Sequence, residues 1–289
     1  MTPAPQGPMA TIPALTDETF NKLRVLIHEK TGIHMRDGKQ ILISNRLRKR
    51  LVHLRIASYE EYYNFLLSRE GAQTEMTHFI DAVSTNETYF FREGNHFNAL
   101  SRCVLPQLLK TTPKVRIWSA GCSTGEEVYT LRIVADQVVR DAGPDRDVEI
   151  VGTDISTSVI GRAKEGIYFE RALRLVPADV LRSSFVPVGE GGYQVADSVR
   201  KRVEFRVHNL FVDPPPWERV NIIFCRNVMI YFDKPTQAKL VDGVFATAIH
   251  PDGYLFIGHS ESLSGFSKCF VYASDLKAPI YRKRKEGTA

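Results

Sequence analysis

The 289-residue sequence predicts an α/β fold: a doubly wound, mainly parallel sheet with a small antiparallel β insertion, preceded by an all-helical N-terminal domain. Three observations predict it. From residue 114 onward, short apolar runs of strand length alternate with longer amphipathic stretches, the signature of a parallel sheet with helices on both faces. Residues 16–85 show only the helical period. Residues 185–207, "FVPVGEGGYQVADSVRKRVEFRV", place glycine turns between short β-branched runs and interrupt the alternation. The expected boundaries are a disordered lead-in at 1–15, a helical domain at 16–90 and an α/β domain at 91–289, with the β subdomain at about 185–207.

Each element has its own justification. "TDETFNKLRVLIHEKTG" opens on Thr16 as N-cap with an acidic first turn and closes on Gly32. "KQILISNRLRKRLVHLR" sets Ile43, Leu47, Leu51 and Leu54 on one face and Arg46 with Arg50 on another. "SYEEYYNFLLSR" carries a capping box, Ser58 with Glu61, and "TEMTHFIDAVS" is a fourth helix. In the second domain, "KVRIWSAG" reads as a buried strand. "GEEVYTLRIVADQVVRDAG" reads as a helix with Val128, Leu131, Ala135 and Val138 inward. "DVEIVGTDIS" and "STSVIGRAKEG" repeat the strand–helix unit. "RVNIIFCRN", "KPTQAKLVDGVFATAI", "GYLFIGHSE" and "APIYRKR" complete the sheet as strand, helix, strand, strand.

Composition narrows the class. With 43% hydrophobic and 25% charged residues the chain reads as an ordinary globular protein, and its apolar runs are too short to span a bilayer. The start, "MTPAPQGPMATIPAL", lacks a basic region followed by an apolar stretch, so no secretory signal is expected. Cys103, Cys122, Cys225 and Cys269 are scattered without metal or disulfide spacing, as expected of buried, reduced thiols in a cytoplasmic protein; no metal site is expected. The net charge of +5 is concentrated: residues 36–55 hold Arg36, Lys39, Arg46, Arg48, Lys49, Arg50 and Arg55 against Asp37 alone.

The loops point to a ligand. "SAGCSTGEE" follows a strand and opens a helix, at the sheet edge where such folds bind ligands. Gly121 and Gly125 permit tight turns, but Glu126 and Glu127 occupy the helix N-terminus that a phosphate would need. Asp154, ending the next strand, is placed to accept ribose hydroxyls. A ribose acceptor without a phosphate site predicts an adenosine-bearing ligand with a positive tail, and S-adenosylmethionine fits.

Six motifs in order carry a resemblance: "STNETYFFRE", "RIWSAGCSTGEE", "GTDIS", "HNLF", "IIFCRNVMIYFD" and "GYLFIGHSESL". Collinear from about residue 16 to 283, they resemble the chemotaxis receptor methyltransferase family, whose members esterify glutamate side chains of bacterial chemoreceptors. The resemblance implies a Rossmann-like methyltransferase sheet, S-adenosylmethionine as donor, S-adenosylhomocysteine as product, and no metal. It implies that Asn86, Thr88 and Arg92 line the donor site, with Glu126 near the methionine ammonium and Asp154 on the ribose. Asn209 and Leu210 would flank the adenine, with Arg226 and Asn227 nearby. The chain departs from the family pattern at Val128 (usually proline), Arg132 (usually small) and Asn221 (usually aspartate).

Catalysis of this kind needs alignment and desolvation of an already ionised carboxylate, and Arg92 and Tyr231 are the candidates to orient it. The basic helix, with Arg46 and Arg50, fits a glutamate-rich acceptor helix. The expected partner is the cytoplasmic domain of chemoreceptors, with the β subdomain available to dock a receptor C-terminal tail by strand addition. The expected location is the cytoplasm, at receptor arrays, without membrane insertion. Two rivals have discriminating features. "DPPPW" (213–217) resembles a motif of nucleic-acid amino-methyltransferases but precedes its strand, so a rigid turn and no nucleic-acid partner are expected. A cofactor-binding regulator that transfers nothing is disfavoured by the presence of Arg92, Asp154 and Tyr231.

Overall fold

The computed structural model describes residues 12–284; most of the expected lead-in, residues 1–11, lies outside the described residues. Its last part is ordered: Leu15 is buried in the helical core and its carbonyl accepts from Gln40 Nε2 at 2.8 Å. The chain divides into two compact units, Met1–Thr85 and Asn86–Ala289, so that the segment 86–90 falls with the second. No helix among the described residues is long and apolar enough to cross a membrane.

The first unit contains five helices: α1 (Asp17–Thr31), α2 (Gln40–Leu54), α3 (Tyr59–Leu67), α4 (Arg69–Thr74) and α5 (Met76–Val83). Thr16 caps α1 through the Thr19 amide, and Gly32 ends it in the left-handed region. The expected third helix forms as α3, and a short unexpected helix, α4, follows it. Ser68 takes extended backbone angles, terminates α3 and caps α4 through the Gly71 amide. Phe20, Leu23, Ile27, Ile43, Leu47, Leu51, Tyr62, Leu66 and Phe79 form the core, the inward stripe that the helical spacing predicts.

The second unit has β1 (Lys114–Ala120), β2 (Asp147–Asp154), β3 (Ile167–Tyr168), β4 (Phe185–Val188), β5 (Gly192–Val195), β6 (Glu204–Val207), β7 (Val220–Cys225), β8 (Ile249–Ile257), β9 (Phe270–Tyr272) and β10 (Ile280–Lys283). Seven form one sheet in the order β6-β2-β1-β7-β8-β10-β9, parallel except for β10, which runs antiparallel to both its neighbours. The remaining three form the small antiparallel sheet β3-β5-β4. This corrects the expected insertion. It begins at β3, near 167, and β6 belongs to the main sheet, where residues 204–207 pair with β2. A two-residue strand leaves too little periodicity to be read in advance.

Alternation along each strand explains the two-sided core. In β7, Ile222 and Phe224 join the cluster that includes Leu131 and Ala135 of the helix Glu126–Ala142. Ile223 and Cys225 join the opposite cluster with Leu240, Val241 and Phe245. Both faces are therefore covered, as parallel strands require. The chain leaves β1 toward β2 and leaves β7 toward β8, so the strand order reverses between β1 and β7. Their carboxyl ends form the switch point where such folds hold ligands.

The three departures have structural explanations. Val128 is fully buried. Arg132, also fully buried, donates to the Val148 carbonyl at 2.6 Å and pairs with Asp136 at 2.5 Å. Asn221 Oδ1 accepts the Arg116 amide at 2.8 Å, a bond an aspartate would make equally well. Of the cysteines, Cys122 and Cys225 are buried as expected, whereas Cys269 is half-buried and Cys103 is exposed.

Candidate active site

Three segments converge at the switch point. The first is the loop after β1. Gly121 and Gly125 have φ of 87° and 95°, and a Cβ on Gly121 would lie 2.4 Å from Val228 Cγ2, so both positions demand glycine. The Gly121 and Cys122 amides donate to the Thr153 carbonyl at 2.8 and 2.9 Å, tying the loop to the end of β2. Asp154 continues that link: one carboxylate oxygen accepts the Ser123 amide at 2.9 Å and the other the Ser156 amide at 3.0 Å. Ser156, not Asp154, caps the next helix, accepting from Val159. Asp154 is thus tied to both the glycine loop and the start of the next helix.

Glu126 and Glu127 open the helix Glu126–Ala142. Glu126 is buried and accepts from Thr124 Oγ1 at 2.7 Å; burial pushes its carboxyl above the usual carboxylate range. Among the described residues no hydrogen bond or ion pair joins Glu126 to a cation, and the Arg162 charge only partly offsets its burial. Glu127 turns toward the sheet, accepting from Ser119 Oγ at 2.8 Å and from Arg226 at 3.0 Å.

The second segment is the strap from Asn86 to Glu93. The Asn86 carbonyl accepts from Ser123 Oγ at 3.1 Å, and the Phe91 amide donates to Thr130 Oγ1 at 3.3 Å. Phe90 is fully buried, its edge against Tyr168 and Phe185 at centroid distances of 4.8 and 5.1 Å. Burying this one aromatic anchors the strap while its polar residues remain at the surface of the site. Among the described residues the side chains of Asn86 and Thr88 make no hydrogen bond, and both are half-buried. Arg92 donates to the Glu87 carbonyl at 3.0 Å. It does not pair with Glu93.

The third segment follows β7. Arg226 is buried and donates to Glu127, to Glu93 at 3.2 Å and to the Arg92 carbonyl. Asn227 donates through Nδ2 to Glu93 at 3.2 Å. Although burial raises the Glu93 carboxyl, Arg226 and Asn227 hold it below its ordinary range. The Glu261 carboxylate receives the amides of Gly258 (2.6 Å), Asn227 (3.0 Å) and Ile230 (3.2 Å) and so fixes this loop. Tyr231 closes the turn Met229–Tyr231 and is half-buried, its hydroxyl making no hydrogen bond among the described residues. Phe91, Glu93, Ser123 and Asn227 all have left-handed backbone angles without being glycine. Such residues cost about 1–3 kcal/mol each and gather where function requires them.

The sequence-derived residues therefore separate. Asn86, Arg92, Asp154, Arg226 and Asn227 are joined by direct contacts through Ser123 and Glu93, with Glu126 at the end of the same loop. The polypeptide after β6 runs beside Asp154, whose carbonyl accepts the His208 amide at 2.8 Å. Asn209 there caps its own turn, accepting from the Phe211 amide, and Leu210 packs on the core. Arg226 holds the strap and the helix start together. In the helical unit, Arg50 is bound bidentately to buried Glu75 at 2.8 and 2.6 Å, and Arg46 donates to the Val83 carbonyl and Thr85 Oγ1. Both tie α2 to the segments that follow it, so the exposed cations on α2 are instead Arg48 and Lys49. In "DPPPW", Asp213 accepts the Asn209 amide at 2.8 Å and Pro214 accepts from His208, so these residues build the turn into β7.

Sequence reading missed Glu93, Glu127 and Glu261. The doublets "RE" and "EE" flagged carboxylates in the right segments, but nothing local identifies their partners. It also missed a cluster at Glu93, His96 and His259, whose ligand atoms lie within 4.8 Å of one another. Arg226 and Asn227 already occupy the Glu93 carboxylate, and burial lowers the His96 pKa to about 4.

Comparison with known proteins agrees with this geometry. The profile "CheR methyltransferase, SAM binding domain" matches residues 86–277, and "CheR methyltransferase, all-alpha domain" matches residues 18–84. A chemotaxis protein methyltransferase of Borreliella burgdorferi is 36% identical, with 87% of this chain and 90% of the relative covered. Chemotaxis protein methyltransferase 2 of Pseudomonas aeruginosa is 38% identical, with 90% of each chain covered. Chemotaxis protein methyltransferase 2 of Vibrio cholerae is 32% identical, with 94% and 95% covered. With both of its units matched in order and relatives aligned along almost their whole length, the chain belongs to the CheR methyltransferase family.

Proposed function

We propose that this protein is a protein-glutamate O-methyltransferase that uses S-adenosylmethionine to esterify glutamate side chains of bacterial chemoreceptors in chemotaxis adaptation. The observation that carries it is the convergence of Asp154, buried Glu126 and the Asn86–Glu93 strap at the switch point of a chain in the CheR family. The residues fit the donor. Buried Glu126 suits a donor ammonium, Asp154 is an acidic group fixed at the strand end where a ribose would lie, and Asn86 and Thr88 bring half-buried polar side chains.

When bound, S-adenosylmethionine supplies a methyl group on a sulfonium, which passes to the acceptor oxygen and leaves S-adenosylhomocysteine as product. The chain's own residues orient and desolvate. A glutamate carboxylate, with a pKa of about 4.3, is ionised at neutral pH, so no strong base is needed. Arg92 offers a charge-assisted hydrogen bond and Tyr231 a phenol to align it. The aromatic strap residues exclude water, which strengthens both contacts.

Arg48 and Lys49 on α2 offer charge to an acidic acceptor helix. The β3-β5-β4 sheet, with Ile167 and Val186 exposed at 42% and 52%, offers its edges to a receptor tail and a means of recruitment to receptor arrays. The test is incubation with methyl-labelled S-adenosylmethionine and receptor-containing membranes, followed by mild alkali. Label on the receptor, released as methanol, supports a carboxyl ester. Alkali-stable label, or donor binding with no transfer to any receptor offered, contradicts it.

A further inference from the structure

The strap does not rest on the sheet alone. Its other flank is gripped by the turn between β3 and β4, in the insertion. The Phe90 amide donates to the Ala172 carbonyl at 3.0 Å. Arg171 pairs with Glu87 at 2.8 Å, though both side chains are exposed and the pair adds little to stability. Arg174 lies over the Tyr89 ring with its guanidinium carbon 3.5 Å from the centroid, and its Nη1 donates to the Arg171 carbonyl at 2.6 Å. Arg92 approaches the same ring at 5.7 Å. Tyr168, in β3, packs on Phe90 and donates its hydroxyl to the Thr124 carbonyl at 2.6 Å, reaching the glycine loop itself.

We propose that Arg174 and Tyr89 are positioning residues for methyl transfer: their stacking holds Arg92 and the strap over the donor, so that the insertion sets donor affinity. The proposal rests on the reading that the strap lines the donor site. Its physical basis is division of labour. Phe90 fixes the strap's depth, and backbone bonds at Asn86, Phe91 and Arg92 fix its course, but none of these orients the Tyr89 and Arg92 side chains. The guanidinium stacked on Tyr89 orients that ring beside Arg92, and its bond to Arg171 fixes the guanidinium in turn. A planar stack of this kind is stronger for arginine than for lysine.

The experiment is calorimetric titration of S-adenosylhomocysteine into wild type and the variants Arg174→Ala, Arg174→Lys, Tyr89→Leu, Tyr89→Phe, Arg174→Ala/Tyr89→Leu and Arg92→Ala, with receptor methylation kinetics alongside. Arg174→Ala is expected to weaken binding about fivefold, the scale of one such stack. Arg174→Lys should recover part of the loss and Tyr89→Phe all of it. The double variant should be no worse than either single one. KM for the donor should rise more than kcat falls. Arg174 is exposed, so melting temperature should hold. Wild-type affinity in Arg174→Ala together with weakened binding in Arg92→Ala overturns the clamp and leaves the strap reading standing. Wild-type affinity in both overturns the strap reading and the clamp with it. Additive losses in the double variant also overturn the clamp.

Discussion

Each unit holds an arginine–glutamate network with a buried member, Glu75 in one and Arg226 in the other, and the two are built differently. In the helical unit, Arg50 forks onto Glu75, and Tyr62 donates to the same carboxylate at 2.8 Å. One cation meets one anion. In the α/β unit, Arg226 meets two, Glu93 and Glu127, and its Nε is left without a partner. Glu126 and Asp154 add further negative charge nearby. The first network is complete and closes a structure. The second carries surplus negative charge beside left-handed backbone, the condition of a site that expects a cation from outside.

The largest expected effect tests the closed network. Glu75→Ala strips half-buried Arg50 and the buried Tyr62 hydroxyl of their shared acceptor and should destabilise the helical unit by about 1–3 kcal/mol in denaturant titration. Donor affinity of protein that remains folded should be unchanged. If affinity drops with stability, the two networks are not separate in function.

Next is Glu126. Folding favours its protonated form, so it costs stability as pH rises from the ordinary glutamate range through its raised folded value. A donor ammonium offsets that cost. Donor affinity should therefore be full above the raised value and fall below it, starting at higher pH than an ordinary carboxyl of about 4.3 would allow. Glu126→Gln should weaken binding by about tenfold or more and flatten this acid limb. An unchanged pH profile in the variant would remove Glu126 from the ammonium site.

The smallest effect concerns the acceptor. Arg48→Glu with Lys49→Glu should raise the KM for receptor several-fold at low salt and less at high salt, with donor affinity intact, because exposed charges are screened. Equal KM at both salt concentrations would argue that α2 does not face the acceptor.

Much of this was legible in the sequence because the signals are local. Thr16, Gly32 and Ser58 mark helix ends, Gly121, Gly125 and Glu126 mark the sheet edge within one loop, and Asp154 marks it again at the end of the next strand. The missing parts are non-local. Arg226 and Glu93 lie 133 positions apart, and Arg50 and Glu75 lie 25 apart, so spacing cannot show that they pair. Hence Arg50 reads as a substrate contact from its helical face alone, and Arg226 as a ligand contact from its loop. Strand β3 is too short to carry a period, which hides both the start of the insertion and its grip on the strap.

The central claim is that Asp154 and its neighbours hold an adenosine-bearing cation. Asp154→Asn tests it most directly, since an amide oxygen can keep one of the two loop bonds while the charge is lost. Titrated with S-adenosylhomocysteine, wild type should bind one equivalent and the variant should bind at least tenfold more weakly, the scale of a lost charged hydrogen bond. Equal affinity in a variant of unchanged melting temperature would contradict the account.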